Sequence, residues 1–204
     1  DKTSATVLHN NCSGKHLGMI ITAKHLNYNI SNYIDIDHPI QKQIANEAYQ
    51  LTNESPDWII DGCSVPSPII TFLGLAKLYL NLGMKKTPEL KIINDAIVSA
   101  PHYLAGTNRF DSDFICLGGG DYITKGGAES VRGLTMKTKK YGQIAMALKV
   151  NDGHQRANVP ATIAILKHLN CIDERIVNKM NKHYQPRLYN HNKIHVGQIK
   201  VKIQ

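Results

Sequence analysis

The chain has 204 residues, 42% hydrophobic and 20% charged, with a formal net charge of +8. That length suits one sizeable domain, residues 1–204, and that composition excludes a disordered chain. Aromatic residues are only 6% and the basic ones are dispersed, so the charge reads as a solvated surface with some pull on anionic substrates; a nucleic-acid-binding domain, motivated by charge alone, is disfavoured.

In chain order, Asp1 opens no recognisable signal peptide, and a cytoplasmic location is expected. Asn10-Asn11-Cys12-Ser13-Gly14-Lys15-His16 then gathers a thiol, a hydroxyl, an ammonium and an imidazole directly before the apolar run Leu17 to Ile21. Ser13-Gly14 reads as a helix entrance, with Ser13 as N-cap and the helix running to about Leu26. Pro39 opens a second helix, with apolar Ile40, Ile44, Ala48 and Leu51 on one face. Asp57 to Asp61 reads as a short buried strand, and Gly62 to Pro66 as a turn. Ser67-Pro68 signals the start of a strongly apolar helix ending near Gly83, and Thr87-Pro88 repeats the signal for a helix to Ser99. The apolar run Ile69 to Leu82 is broken by Lys77 and is too short to span a bilayer.

The second half changes character. Phe110 to Leu117 reads as a helix stopped by Gly118-Gly119-Gly120. Asp121–Lys125, Glu129–Lys137 and Gln143–Val150 read as consecutive strands of an antiparallel meander, with Lys137 to Lys140 at a hairpin connection. Asn151-Asp152-Gly153 is a turn, a helix follows through Leu169, and a tail strand spans Ile194 to Ile203. The expected class is α+β, an antiparallel sheet flanked by helices.

Two places could carry chemistry. If the first helix starts at Ser13, Cys12, Lys15 and His16 share its first turn, where the helix dipole favours thiolate. Cys63, at the end of a strand, would add a second sulfur. Such a mixed S/N set suits zinc. His16 is the more conventional ligand; Lys15 must first lose its proton. The alternative is a core cysteine beside a cap and a solvated lysine, and a Cys12–Cys63 bridge also stays open. The second place is Lys125-Gly126-Gly127, where a lysine ends a strand and the glycines admit a substrate. It resembles the Lys-Thr-Gly element of serine β-lactamase-type sites; the alternative is a solvated hairpin lysine. Gly14-Lys15 does not make a phosphate loop, because the leading glycine is missing and His16 stands where Ser or Thr is needed.

The ordered set His9 to His16, Asp61-Gly62-Cys63-Ser64-Val65-Pro66, Asn108-Arg109-Phe110, Lys125-Gly126-Gly127-Ala128-Glu129 and Asp152 to Ala157 resembles the L-asparaginase II family, the inducible, thermolabile type. The resemblance covers nearly the whole chain. It implies a fold similar to serine β-lactamases and glutaminases and the hydrolysis of L-asparagine to L-aspartate and ammonia. It implies zinc held by Cys12, Lys15 and Cys63, substrate binding by Asp61 and His16, and a catalytic lysine at Lys125. A homodimer is expected.

The family uses two serines, each associated with a lysine, and both lie upstream of the Cys-Ser-Gly-Lys block. Only eleven residues precede Cys12 here, so the chain is expected to be the C-terminal portion of such an enzyme, incomplete at its N-terminus and inactive alone. Ser13 and Ser64 are the substitutes available in the chain, one better placed as a cap and the other as a turn residue. A non-catalytic zinc-binding or interaction module is the alternative function.

Overall fold

A computed structural model describes residues 4–204. Backbone contacts group the chain into one unit ending at Thr71 and another running from Phe72 to Gln204.

In the first unit, α1 (Ser13–His25) begins one residue earlier than a Ser13 N-cap requires. Cys12 is the cap residue, Ser13 is already helical, and no cap side chain bonds the first turn. Asn10 organises the entrance instead: its Oδ1 accepts from the Cys12 N–H at 2.7 Å and its carbonyl from the Ser13 N–H at 3.0 Å. Helix α2 (Pro39–Thr52) starts at the expected proline. His38 caps it by accepting from the Ile40 N–H through Nδ1, and Asn53 stops it in the left-handed conformation with φ 60°. Met19, Ile40 and Val65 form a small core, with Tyr33 and Ile44 packed on it.

Strands β1 (Asp57–Ile60) and β2 (Pro66–Ile69) make an antiparallel hairpin. This overturns the helix start at Ser67-Pro68. Pro66 and Pro68 lie opposite Ile60 and Trp58, at alternate positions where backbone N–H groups face away from the partner strand, so neither proline removes a ladder bond. The strand is also not buried. Ile59 and Ile60 are exposed, because the sheet has only these two strands.

The second unit begins with α3 (Phe72–Gly83), followed by α4 (Pro88–Ser99), α5 (Pro101–Ala105) and α6 (Phe110–Gly118). Thr87 caps α4 by accepting from the Leu90 N–H. Strands β3 (Tyr122–Gly126), β4 (Val131–Thr138) and β5 (Gly142–Lys149) form the expected antiparallel meander. Helices α7 (Asn158–His168), α8 (Glu174–Lys179) and α9 (Asn181–Tyr184) follow. The tail holds a hairpin, β6 (Arg187–Tyr189) with β7 (His195–Gln198), in place of one long strand to Ile203. The chain reverses at Asn190, whose Oδ1 accepts from the Ile194 N–H.

The meander is covered on both faces, which gives the α+β class expected. Leu134 and Met136 of β4 join Phe110 and Phe114 of α6 and Ile163 and Leu166 of α7 in the main core. Gly133, on the opposite face of β4, meets α3. A Cβ there would lie 1.9 Å from the Tyr79 ring, so the helix can sit this close only over glycine. Burial, with the Asp111 charge adding to it, pushes the Tyr79 phenol up to about 12. Among the described residues no helix is long and apolar enough to cross a membrane.

Candidate functional site

The first unit brings Cys12, Lys15, Asp61 and Cys63 together. The α1 entrance supplies Cys12 and, one turn on, Lys15. The β1–β2 turn supplies the other two. Asp61 builds that turn itself: its Oδ1 accepts from the Cys63 N–H at 2.7 Å and the Val65 N–H at 3.1 Å. Its N–H donates to the Val65 carbonyl at 3.0 Å. Ser64 takes φ 69° inside this turn, which agrees with its reading as a turn residue.

The second Asp61 oxygen, Oδ2, accepts from Lys15 Nζ at 2.5 Å. The Lys15 ammonium is the largest influence holding the Asp61 carboxyl below the usual range; partial burial opposes it, and the two backbone donors assist. The Cys63 thiol is displaced upward, chiefly by its hydrogen bond with Cys12, then by burial and by the Cys12 and Asp61 charges. Both thiols are free and half-buried. The two thiols therefore neighbour each other at the mouth of α1, beside an amine already tied to a carboxylate.

His16 follows directly on α1. Its Nδ1 lies 2.6 Å from the Tyr33 hydroxyl, with the rings edge to face at 5.8 Å. His16, Tyr33, Ser13 and Cys63 line one cavity of about 460 Å³, together with the apolar side chains of Val7, Leu8 and Leu17. Tyr33 escapes sequence reasoning because it lies seventeen residues from His16 in a loop of no regular pattern. The second duty of Asp61 carried a local signal, since Asp-Gly after a strand is turn chemistry.

Lys125 belongs to the second unit. It is the penultimate residue of the edge strand β3, opposite Gly133, and its Nζ donates to the Gly126 carbonyl at 2.5 Å. A buried polar network holds this strand end. Asp111 accepts from the Gly126 N–H through Oδ2 at 2.9 Å and pairs through Oδ1 with Arg132. Arg132 also donates to Asn158 Oδ1 at 2.6 Å and to Thr124 Oγ1 at 2.9 Å. Asn158 in turn donates to the Ser130 carbonyl at 2.8 Å. The connection after Lys125 is strained: Glu129 and Ser130 both sit at positive φ, 54° and 58°. No residue of this network except Lys125 was legible as functional from the sequence.

Among the described residues no three His, Cys, Asp or Glu side chains gather as a metal-holding group. Cys12 and Cys63 are thiol donors of the kind zinc accepts, whereas Lys15 is engaged by Asp61 as an ammonium and would have to lose its proton to join them. A ligating Lys15 amine would keep a proton for Asp61 Oδ2, the outer carboxylate partner such ligands usually have.

A family model for L-asparaginase II matches residues 1–201. The comparison with curated proteins finds no match. The chain belongs to the L-asparaginase II family.

Proposed function

We propose that this protein hydrolyses L-asparagine to L-aspartate and ammonia through a serine–lysine mechanism. The family match over 1–201 carries the reaction class and the substrate. In the proposed sequence a serine oxygen attacks the side-chain amide carbon while its proton passes to a lysine amine. The carbon–nitrogen bond then breaks and the amine's proton leaves with ammonia. Water attacks the resulting ester, returns a proton to the serine and frees aspartate.

The nucleophilic serines would be supplied by sequence outside residues 1–204. The surroundings of the local candidates support this. Ser13 is committed to the first turn of α1 and Ser64 to a left-handed turn position. Among the described residues neither hydroxyl bonds a lysine or histidine, so neither has the adjacent base a nucleophile requires.

Lys125 would hold and return the moving proton. Its amine, anchored to the Gly126 carbonyl at a pinned strand end, is held in one direction as proximity catalysis requires. Asp61 would bind the substrate α-amino group and His16 the α-carboxylate on the same carbon. Cys12, Cys63 and Lys15 would hold zinc, which when bound supplies a fixed positive charge near the substrate.

The test is Lys125→Met in the full-length encoded protein. The substitution keeps much of the side-chain length and removes the base. Turnover should fall by roughly 10²–10⁴. Turnover within a few-fold of wild type would reduce Lys125 to a solvated hairpin lysine.

A further inference from the structure

Two buried polar side chains of the first unit serve a loop. His38 is 4% exposed and Gln41 is 2% exposed, both at the start of α2. His38 Nδ1 accepts from the Ile40 N–H, so its Nε2 carries the proton and donates to the Asn29 carbonyl at 2.8 Å. Gln41 Nε2 donates to the Tyr33 carbonyl at 2.7 Å. The loop between α1 and α2 is thus tied at Asn29 and at Tyr33. The Tyr33 ring is held a third way, against the Met19–Ile40–Val65 core. A buried polar group costs stability unless it is paired, and Gln41 also buries its Oε1 without a partner among the described residues, so these side chains are kept at a cost and tie the loop in place.

That position delivers one phenol to one imidazole. The Tyr33 hydroxyl meets His16 Nδ1 at 2.6 Å, and both residues line the 460 Å³ cavity that also holds Cys63. A phenol is a better donor than acceptor; with Tyr33 as the donor, Nδ1 takes the hydrogen bond and a neutral ring then carries its proton on Nε2. With Nδ1 engaged, Nε2–H is the ring group left for the cavity, and it is a donor.

We propose that Tyr33 is a positioning residue: by donating to His16 Nδ1 it fixes the His16 tautomer and aims Nε2–H at the α-carboxylate of the amino-acid substrate. The inference deepens the function proposed above and rests on it for the identity of the ligand. It also assigns His16 away from the metal, since a protonated Nε2 and an engaged Nδ1 offer no lone pair.

Histidine-labelled protein, observed by nitrogen–proton NMR near pH 8, reads the tautomer directly, with His16 assigned through His16→Gln. The expected wild-type spectrum has Nδ1 unprotonated and Nε2 protonated. Tyr33→Phe, unchanged in melting temperature, should move the His16 nitrogen shifts. In the full-length protein it should raise KM for L-asparagine roughly 5- to 50-fold with kcat within about threefold, the size of one lost hydrogen bond beside a charge. In a His16→Ala background the same substitution should change KM less than about twofold, because the phenol then has no ring to orient.

A wild-type His16 protonated on Nδ1 would overturn the proposal without any variant. So would unmoved His16 shifts in Tyr33→Phe, or moved shifts with an unchanged KM. If the wild-type protein does not hydrolyse asparagine at all, the functional reading falls by itself, and the tautomer measurement still decides the Tyr33–His16 tie.

Discussion

Asp61 holds Lys15 with one carboxylate oxygen and builds the turn beneath Cys63 with the other. One side chain therefore couples the helix entrance to the hairpin turn, and with them the two thiols of the candidate site. Removing its charge should be felt in both binding and stability.

Asp61→Asn keeps an acceptor for the turn and loses the charge facing Lys15. The folded Asp61 carboxyl lies below its unfolded value of 3.8. Its stabilisation is therefore complete well above pH 3.8, declines as the pH falls through the lower folded value, and is gone beneath both. Lys15 is 44% exposed, so solvent screening limits the pair to roughly 0.5–1 kcal/mol. Denaturant unfolding of wild type and Asp61→Asn should differ by that amount at neutral pH and converge in acid, below the lowered Asp61 value. A difference that persists unchanged into acid would show that the charge pair is not its source.

The metal reading predicts about one zinc per chain, bound with proton release as the thiols ionise. Affinity should fall as pH falls, because the Cys63 thiol starts above its ordinary range and must lose its proton. Cys12→Ser or Cys63→Ser should weaken binding at least about 100-fold, and Asp61→Asn roughly 10- to 100-fold through the Lys15 amine. Elemental analysis and calorimetry in buffers of different ionisation enthalpy measure both quantities. Undiminished zinc in both cysteine variants would place the metal elsewhere.

Asp111 and Arg132 form a buried pair, 7% and 3% exposed, beneath the strand end that carries Lys125. Asp111→Ala leaves the guanidinium without its counter-charge and the Gly126 N–H without its acceptor. The loss should be about 3–5 kcal/mol in urea unfolding, against the near-neutral effect of an exposed substitution. A cost below about 1 kcal/mol would mean that water or another group takes over the pairing.

Much of the architecture was legible because it is written in local chemistry. Pro39, Thr87-Pro88 and Gly118-Gly119-Gly120 punctuate helices where they stand, and the strand patterns of 121–150 give the meander. Ser67-Pro68 carries the same local signal as Thr87-Pro88 yet lies in a strand, because the Asp61 turn folds it back onto β1 and pairing outweighs propensity. Cys12, Lys15, His16 and Cys63 could be singled out by residue type and spacing; the narrower set Cys12, Lys15 and Cys63 comes from the family resemblance. The Tyr33–His16 contact and the Asp111–Arg132–Asn158 network could not, since each joins residues 17 to 26 positions apart through tertiary contacts that leave no periodic trace.

Ammonia release from L-asparagine is the most direct measurement, made on the full-length encoded protein and on residues 1–204 side by side. The full-length protein should release one ammonia per aspartate. The 204-residue chain should be slower by at least about 10³, because a nucleophilic unit collapses when its members are removed. Full-rate release by the 204-residue chain, abolished by Ser13→Ala or Ser64→Ala, would contradict the proposed function, as would a full-length protein that releases none.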